Sequence, residues 1–105
     1  MIVTFDEEYL RDLYEKGKTS DKKHRYQPQI VKRYQNGVRT LIAAPSIAFL
    51  WRINSLHYEV LVGDKAGLSS IRVNDQYRIE FKVDENAENP QLTICNIVDL
   101  SNHYK

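Results

Sequence analysis

The spacing of two arginines, Arg72 and Arg78, places them on one face of a predicted β-hairpin. In the segment 67–83, apolar residues fall mainly on odd numbers and polar residues on even numbers, on both sides of a turn at 74–76. Alternation with a period of two is typical of half-buried strands. One face stays apolar and the other polar across both strands only if even-numbered residues pair with even-numbered residues. Arg72 then lies opposite position 78 or 80, and the loop has three or five residues.

Paired guanidinium groups favour phosphate chemistry. They are permanently charged and hold phosphate oxygens in a bidentate manner, and a histidine with a pKa near 6.5 can move protons beside them. Such a set suits metal-free RNA cleavage, in which the 2′-hydroxyl attacks its own phosphate with the help of a base, an acid and cations. The alternative is a solvated strand face on which Glu80 neutralises an arginine. Because a polar strand face packs nothing, we expect Arg78→Ala to leave the fold intact.

Other catalytic chemistry has little support in the sequence. The three histidines, His24, His57 and His103, lie far apart, with no cysteine or carboxylate at a ligand-like spacing, so no metal site is predicted. The glycine-containing turn at 63–67 lacks the length and pattern of a phosphate-binding loop. We therefore expect neither a metal nor a cofactor.

Composition indicates one globular domain, residues 1–105. Hydrophobic residues make up 42% and charged residues 28%, as in ordinary soluble proteins. The longest nearly uncharged run, 40–51, contains a proline and is too short for a membrane span, and the acidic N-terminus does not resemble a signal peptide. The single cysteine, Cys95, has no partner for an internal disulfide and is expected to be buried. We expect a cytoplasmic protein without a membrane segment.

The formal net charge of +1 conceals an uneven distribution. Residues 11–39 carry nine Lys/Arg against three acidic residues, a local charge of +6, whereas residues 83–105 have a local charge of −3. Such asymmetry is typical of a surface that meets nucleic acid or an acidic partner. A solvated helix face is the alternative.

The first elements that must hold these side chains are a strand and a helix. Residues 2–5 form a short apolar strand, Asp6 is placed to cap the helix that follows, and Gly17 is placed to end it. Apolar residues between Tyr9 and Tyr14 give this helix one apolar stripe, which predicts that it packs on a sheet.

A second helix and several strands follow. Apolar residues from 30 to 42 recur at helical spacing; Pro28 opens or kinks this helix, and Gly37 weakens it enough for a break there. The order predicts an α+β fold, with two N-terminal helices packed on a small antiparallel β-sheet. The remaining predicted elements are a single helical turn at 47–51, a strand at 56–61, the hairpin, and a last strand at 91–100.

The segment 55–81, "SLHYEVLVGDKAGLSSIRVNDQYRIEF", resembles the signature of HigB-like toxins of the RelE/ParE superfamily. The resemblance extends to the N-terminal segment, to the helical region before Pro45 and to a histidine near the C-terminus. It implies two helices on an antiparallel sheet and ribosome-dependent cleavage of mRNA. It also implies neutralisation by a cognate antitoxin, a small HigA-like helix-turn-helix protein.

The resemblance also implies roles for individual residues. Arg78 would stabilise the scissile phosphate, Arg72 would hold phosphate or ribosomal RNA, and His103 would act as acid or base. Val62 stands where the family commonly has lysine, so one cation of the phosphate pocket is missing. Residues expected to contact RNA are His57, Lys65 and Tyr104.

Two other functions fit the same resemblance. One is a gyrase-inhibiting ParE-like toxin, which would bind a protein target and need no nuclease residues. The other is a catalytically weakened toxin relative whose main role is antitoxin binding, an interpretation that Val62 favours. Retention of Arg72, Arg78 and His103 favours the endonuclease.

Overall fold

The computed structural model of the chain describes residues 1–102. In this range three helices and five strands alternate with short turns, and the predicted order of elements is confirmed. The helices are α1 (Glu8–Glu15), α2 (Pro28–Ala43) and α3 (Ile47–Trp51); the strands are β1 (Ile2–Phe5), β2 (Glu59–Val60), β3 (Leu68–Arg72), β4 (Arg78–Asp84) and β5 (Ile94–Ser101).

The five strands form one sheet in the order β1-β5-β4-β3-β2. Strands β2, β3, β4 and β5 pair antiparallel in succession, but β1 pairs parallel with β5, with Ile2 opposite Ile94. The α+β class is thus confirmed, with helices packed on a mixed rather than a wholly antiparallel sheet. Apolar alternation along a strand carries no information about the direction of its partner, so the parallel pair could not be inferred from it.

The hairpin of β3 and β4 has one of the two registers expected from the sequence. Arg72 lies directly opposite Arg78, and the five residues 73–77 form the loop. The side-chain oxygen of Asn74 accepts hydrogen bonds from the backbone N–H groups of Gln76 and Tyr77, at 2.9 and 2.8 Å. This turn fixes the parity that puts both arginines on one face.

The helix ends follow most of the predicted signals. Helix α1 has Glu7 rather than Asp6 at its N-cap, and Gly17, with a φ of +73°, follows its C-terminal end as expected. Helix α2 begins with Pro28 in its first turn and continues past Gly37 without a break. A Cβ at Gly37 would lie 2.7 Å from Cδ1 of Ile79, so the glycine allows α2 to approach the sheet closely.

The core lies between the helices and one face of the sheet. Three of the odd-numbered hairpin residues, Ile71, Ile79 and Phe81, are fully buried there. Between α2 and α1, the Tyr34 hydroxyl donates to the Leu10 carbonyl at 2.7 Å. Cys95 is buried, as predicted. The even-numbered face of the hairpin is therefore turned away from α1 and α2. No helix within residues 1–102 has the length and apolar character needed to cross a membrane.

Candidate functional site

Arg78 is held firmly on the even-numbered face of the sheet. Its side chain is only 9% exposed. Its Nε donates to the Ser70 hydroxyl at 2.8 Å, and its Nη2 donates to the carbonyl oxygens of Ser70 and His57. A carboxylate oxygen of Glu59 lies 3.9 Å from Nε. The expectation of a solvated face that packs nothing is therefore wrong for Arg78, because this guanidinium connects β3, β4 and the turn before β2.

His57 contributes to this arrangement through its backbone. Among the described residues other than glycine, it alone has a positive φ, at +45°. This is the left-handed region, which residues other than glycine adopt uncommonly. This conformation follows the short helical turn Asn54–Leu56 and lets the His57 carbonyl accept from Arg78. His57 is an exposed residue, and the role of its backbone leaves no mark in the sequence pattern.

Glu80 lies two residues from Arg78 along β4, on the same face. It is 2% exposed, and one of its carboxylate oxygens lies 2.6 Å from the Nζ of Lys65, whose side chain is 35% exposed. Lys65 comes from the short helical turn Gly63–Lys65 and reaches back over the sheet to β4. The alternation along the hairpin predicted that Glu80 neutralises an arginine, whereas the contact with Lys65 joins residues 15 positions apart and leaves no local pattern.

Arg72 has a different environment from Arg78, although the two are paired in register. Its guanidinium donates to the Asp75 carboxylate in the hairpin loop, and its side chain is 36% exposed. It lines a cavity of about 520 Å³ between this loop and the start of α2, together with Arg33 and five other residues, Gln29, Ile30, Asn74, Asp75 and Gln76. Arg33 was missed because its position here depends on how α2 crosses the sheet.

Three further positions complete the comparison with the expected site. The Val62 side chain is 84% exposed at the start of the turn that carries Lys65. His103 and Tyr104 lie outside the described residues. Ser101, directly opposite Arg78 on β5, has a buried hydroxyl with no hydrogen-bond partner among the described residues.

A second cavity, of about 620 Å³, lies at the helix layer where α1 ends and α2 begins. Leu13 and Val31 give it an apolar floor, and none of its lining residues within 1–102 carries a carboxylate. At one side the His24 ring stacks on Tyr9 with 3.6 Å between ring centres, and its hydrogen bond to Asp21 lowers the pKa of that carboxyl. The cations of the predicted basic surface that line the cavity are Lys18, Arg25 and Lys32.

Comparison with known proteins connects this geometry to one family. A family model described as HigB-like toxin, the RelE-like toxin of the type II toxin-antitoxin system HigB, matches residues 3–94. A search of curated proteins found no match.

Several solved structures share the fold. A YoeB/ParE toxin from Agrobacterium tumefaciens superposes with a TM-score of 0.57 at 17% identity, over 99% of this chain and 100% of the other. The toxin of the heterotetrameric YoeB-YefM complex from Staphylococcus aureus gives 0.52 at 19% identity, over 99% and 98%. The YoeB dimer from the same organism gives 0.51 at 19% identity, with the same coverage.

Proposed function

The chain belongs to the HigB-like toxins, RelE-like toxins of type II toxin–antitoxin systems, and from this premise we propose that it is a ribosome-dependent mRNA endonuclease. In the proposed reaction the 2′-hydroxyl attacks the adjacent phosphate without a metal ion, and translation stops when the message is cut. The observation that carries the proposal is the Arg78 guanidinium, held on the sheet by Ser70 and His57.

The fixed position of Arg78 suits the chemistry of that step. Negative charge accumulates on the phosphate oxygens as the 2′-oxygen attacks, and a cation that is already in place stabilises this charge without reorganising. Arg72 would hold RNA further along the hairpin, where Arg33 lines the same cavity. His103 remains the proposed acid or base, while His57 and Tyr104 are proposed to contact RNA.

The substitution Arg78→Lys tests the proposal most directly. It keeps the positive charge but removes the planar donor fork, so we expect the rate of mRNA cleavage on programmed ribosomes to fall about 100-fold or more. Because Ser70 and His57 lose hydrogen bonds, the free energy of unfolding should also fall, by about 1–3 kcal/mol. Urea denaturation measures this loss, and the cleavage assay is then run at a temperature where the variant is folded.

Arg39→Lys provides the matched control. Arg39 lies exposed on α2 and bonds to Asn36, so its substitution should leave cleavage unchanged. Full cleavage by folded Arg78→Lys would contradict the proposed role. A wild-type protein that cuts no ribosome-bound mRNA would overturn the endonuclease itself. Inhibition of gyrase would then favour the ParE-like alternative, and antitoxin binding alone would favour the weakened relative.

We also propose that an antitoxin neutralises this toxin in the cytoplasm, where ribosomes and mRNA are found. A solved S. aureus structure is a YoeB-YefM toxin-antitoxin complex, and we propose the cavity at the helix layer as the contact surface on this chain. Its apolar floor fits an aliphatic or aromatic side chain, and Lys18, Arg25 and Lys32 fit flanking carboxylates. A HigA-like helix-turn-helix protein with an acidic segment is the expected partner.

Co-expression with the small protein encoded beside this chain tests the partner. Lys32→Glu should weaken co-purification, because it places a like charge against the acidic segment, whereas Lys82→Glu on β4 should not. Failure of the neighbouring protein to co-purify with the wild type or to rescue growth would contradict the proposed neutralisation. Equal loss in both variants would place the contact elsewhere on the surface.

A further inference from the structure

We propose that Asp75 is a specificity-determining residue, whose carboxylate occupies the Arg72 guanidinium in the free protein and has to leave before an RNA phosphate binds there. The inference rests on the proposed nuclease function and concerns which RNA the cavity beside Arg72 accepts. It gives a role to an ion pair that the cleavage reaction described above does not use.

The loop between β3 and β4 holds this carboxylate beside Arg72. Arg72 is the last residue of β3, and Asp75 follows it by three positions. The side-chain oxygen of Asn74 accepts hydrogen bonds from the backbone N–H groups of Gln76 and Tyr77, which closes the loop around Asp75. The ion pair between Arg72 and Asp75 therefore forms within one short, hydrogen-bonded element.

The same carboxylate lies where an RNA phosphate would bind. A guanidinium binds carboxylate and phosphate oxygens in the same manner, so the two anions compete for one set of donors. Arg33, Arg72 and Asp75 all line the cavity of about 520 Å³, and Asp75 supplies the one carboxylate among the described residues that line it. A phosphate that enters this cavity has to displace Asp75 before it can take that place on Arg72.

The displacement of Asp75 needs no unfolding. Its side chain is 91% exposed, so the carboxylate can rotate into water while the loop keeps its backbone hydrogen bonds. An ion pair between exposed side chains is weak, and its typical strength corresponds to about a two- to fivefold competition. Asp75 thus weakens the binding of RNA at Arg72 without preventing it.

Such a competitor selects against RNA that few contacts hold. Free RNA binds only through the toxin's own surface, so a two- to fivefold loss lowers its occupancy directly. A message on the ribosome meets the same competition, but contacts between the toxin and the ribosome also keep it at the site. Asp75 therefore favours cleavage of the ribosome-bound message over free RNA.

The experiment measures the binding of a short fluorescent RNA oligonucleotide, 2′-O-methylated so that it cannot be cut, by fluorescence anisotropy. Asp75→Asn keeps a residue that suits turns and should lower the dissociation constant about two- to fivefold. Arg72→Gln should raise it, and the double variant should bind no more tightly than Arg72→Gln alone, because Asp75 acts only through Arg72. Asp84→Asn, which removes one exposed carboxylate at the far end of β4, is the matched control and should bind like the wild type.

Three results would overturn the inference. Weaker binding by Asp75→Asn would show that the carboxylate positions Arg72 for RNA instead of competing with it. Unchanged binding would show that no competition takes place. An equal gain from Asp84→Asn, or from Asp75→Asn in the Arg72→Gln background, would show a general effect of charge.

Single-turnover cleavage on programmed ribosomes separates this inference from the function on which it rests. With Asp75→Asn, half of the maximal rate should be reached at a lower ribosome concentration, and the gain should appear in this concentration and not in the maximal rate. A wild type that binds the oligonucleotide but cuts no ribosome-bound mRNA would overturn the proposed function and this inference with it. Cleavage that depends on Arg78, with oligonucleotide binding that does not respond to Asp75→Asn, would overturn only this inference.

Discussion

At the scale of single residues, the backbone of His57 limits what can replace it. A β-branched side chain in the left-handed region costs about 1–2 kcal/mol, whereas asparagine tolerates that region. We therefore expect His57→Val to lower the free energy of unfolding by about that amount and His57→Asn to change it by less than about 0.5 kcal/mol. Urea denaturation of both variants checks this, and equal stabilities would mean that the +45° φ does not persist in solution.

The same two variants separate the backbone of His57 from its ring. Both lack the imidazole, so a contact of the ring with RNA would be lost in both. Only His57→Val should also displace the carbonyl that binds Arg78, and its cleavage should then fall below that of His57→Asn. Identical cleavage in the two variants would show that this carbonyl does not control the position of Arg78.

Among the site residues, those on the hairpin were the most predictable from the sequence. Parity limited the partner of Arg72 to position 78 or 80, because both strands belong to one local element with a short loop, and the structure pairs Arg72 with Arg78. The partners of Arg78 and Lys65 were not predictable in this way. Glu80 contacts a residue 15 positions away, and the His57 carbonyl contacts one 21 positions away, so both depend on how separate elements come together.

At the scale of elements, the contact between α2 and the hairpin gives a prediction for Gly37. Alanine there would gain about 1 kcal/mol of helix propensity, but its Cβ would lie 2.7 Å from Cδ1 of the fully buried Ile79. We expect Gly37→Ala to destabilise the wild type, since crowding in a packed core costs about 1–3 kcal/mol. In an Ile79→Val background, which lacks that carbon, the same substitution should be neutral or stabilising. Equal effects of Gly37→Ala in both backgrounds, measured by urea denaturation, would contradict this close packing.

The helices and strands were largely predictable because each follows from local pattern and local stop signals. Gly17 ends α1 and Pro28 opens α2 where the sequence indicated. The uninterrupted course of α2 through Gly37 was not predictable, because helix propensity favours a break and only the neighbouring sheet explains its absence. The parallel pairing of β1 is a similar case, since it joins residues about 90 positions apart.

At the scale of the whole molecule, burial of several weakly acidic groups predicts instability at alkaline pH. Burial raises the pKa of Cys95 to about 11 and that of Tyr26 to about 12, and it raises the pKa of Tyr34 further. These groups stay protonated in the folded state at pH values where the unfolded chain releases their protons. Their contribution to stability is therefore complete below about pH 8 and is lost as the pH rises from about 9 to 12.

The size of this effect can be measured. Each such group lowers the free energy of unfolding by about 1.4 kcal/mol per pH unit above its unfolded pKa. Urea denaturation at pH 8, 10 and 11 should show a progressive loss of the free energy of unfolding. Tyr34→Phe should make the dependence of that free energy on pH less steep, by the equivalent of one proton, although the variant also loses the hydrogen bond to Leu10. Constant stability between pH 8 and 11 would mean that these side chains are solvated in solution.

The position of β5 determines when this sheet can form during protein synthesis. β5 lies between β1 and β4, yet it is the last strand to be translated. At roughly 5–20 residues per second, the ribosome needs about 5 to 20 seconds to pass from Ile2 to Ile94, its partner in the sheet. Until then β1 has no partner strand in the sheet, and the Arg78 face lacks the strand that carries Ser101. We therefore expect a nascent chain to have no assembled site until β5 has been translated and can pair with both β1 and β4.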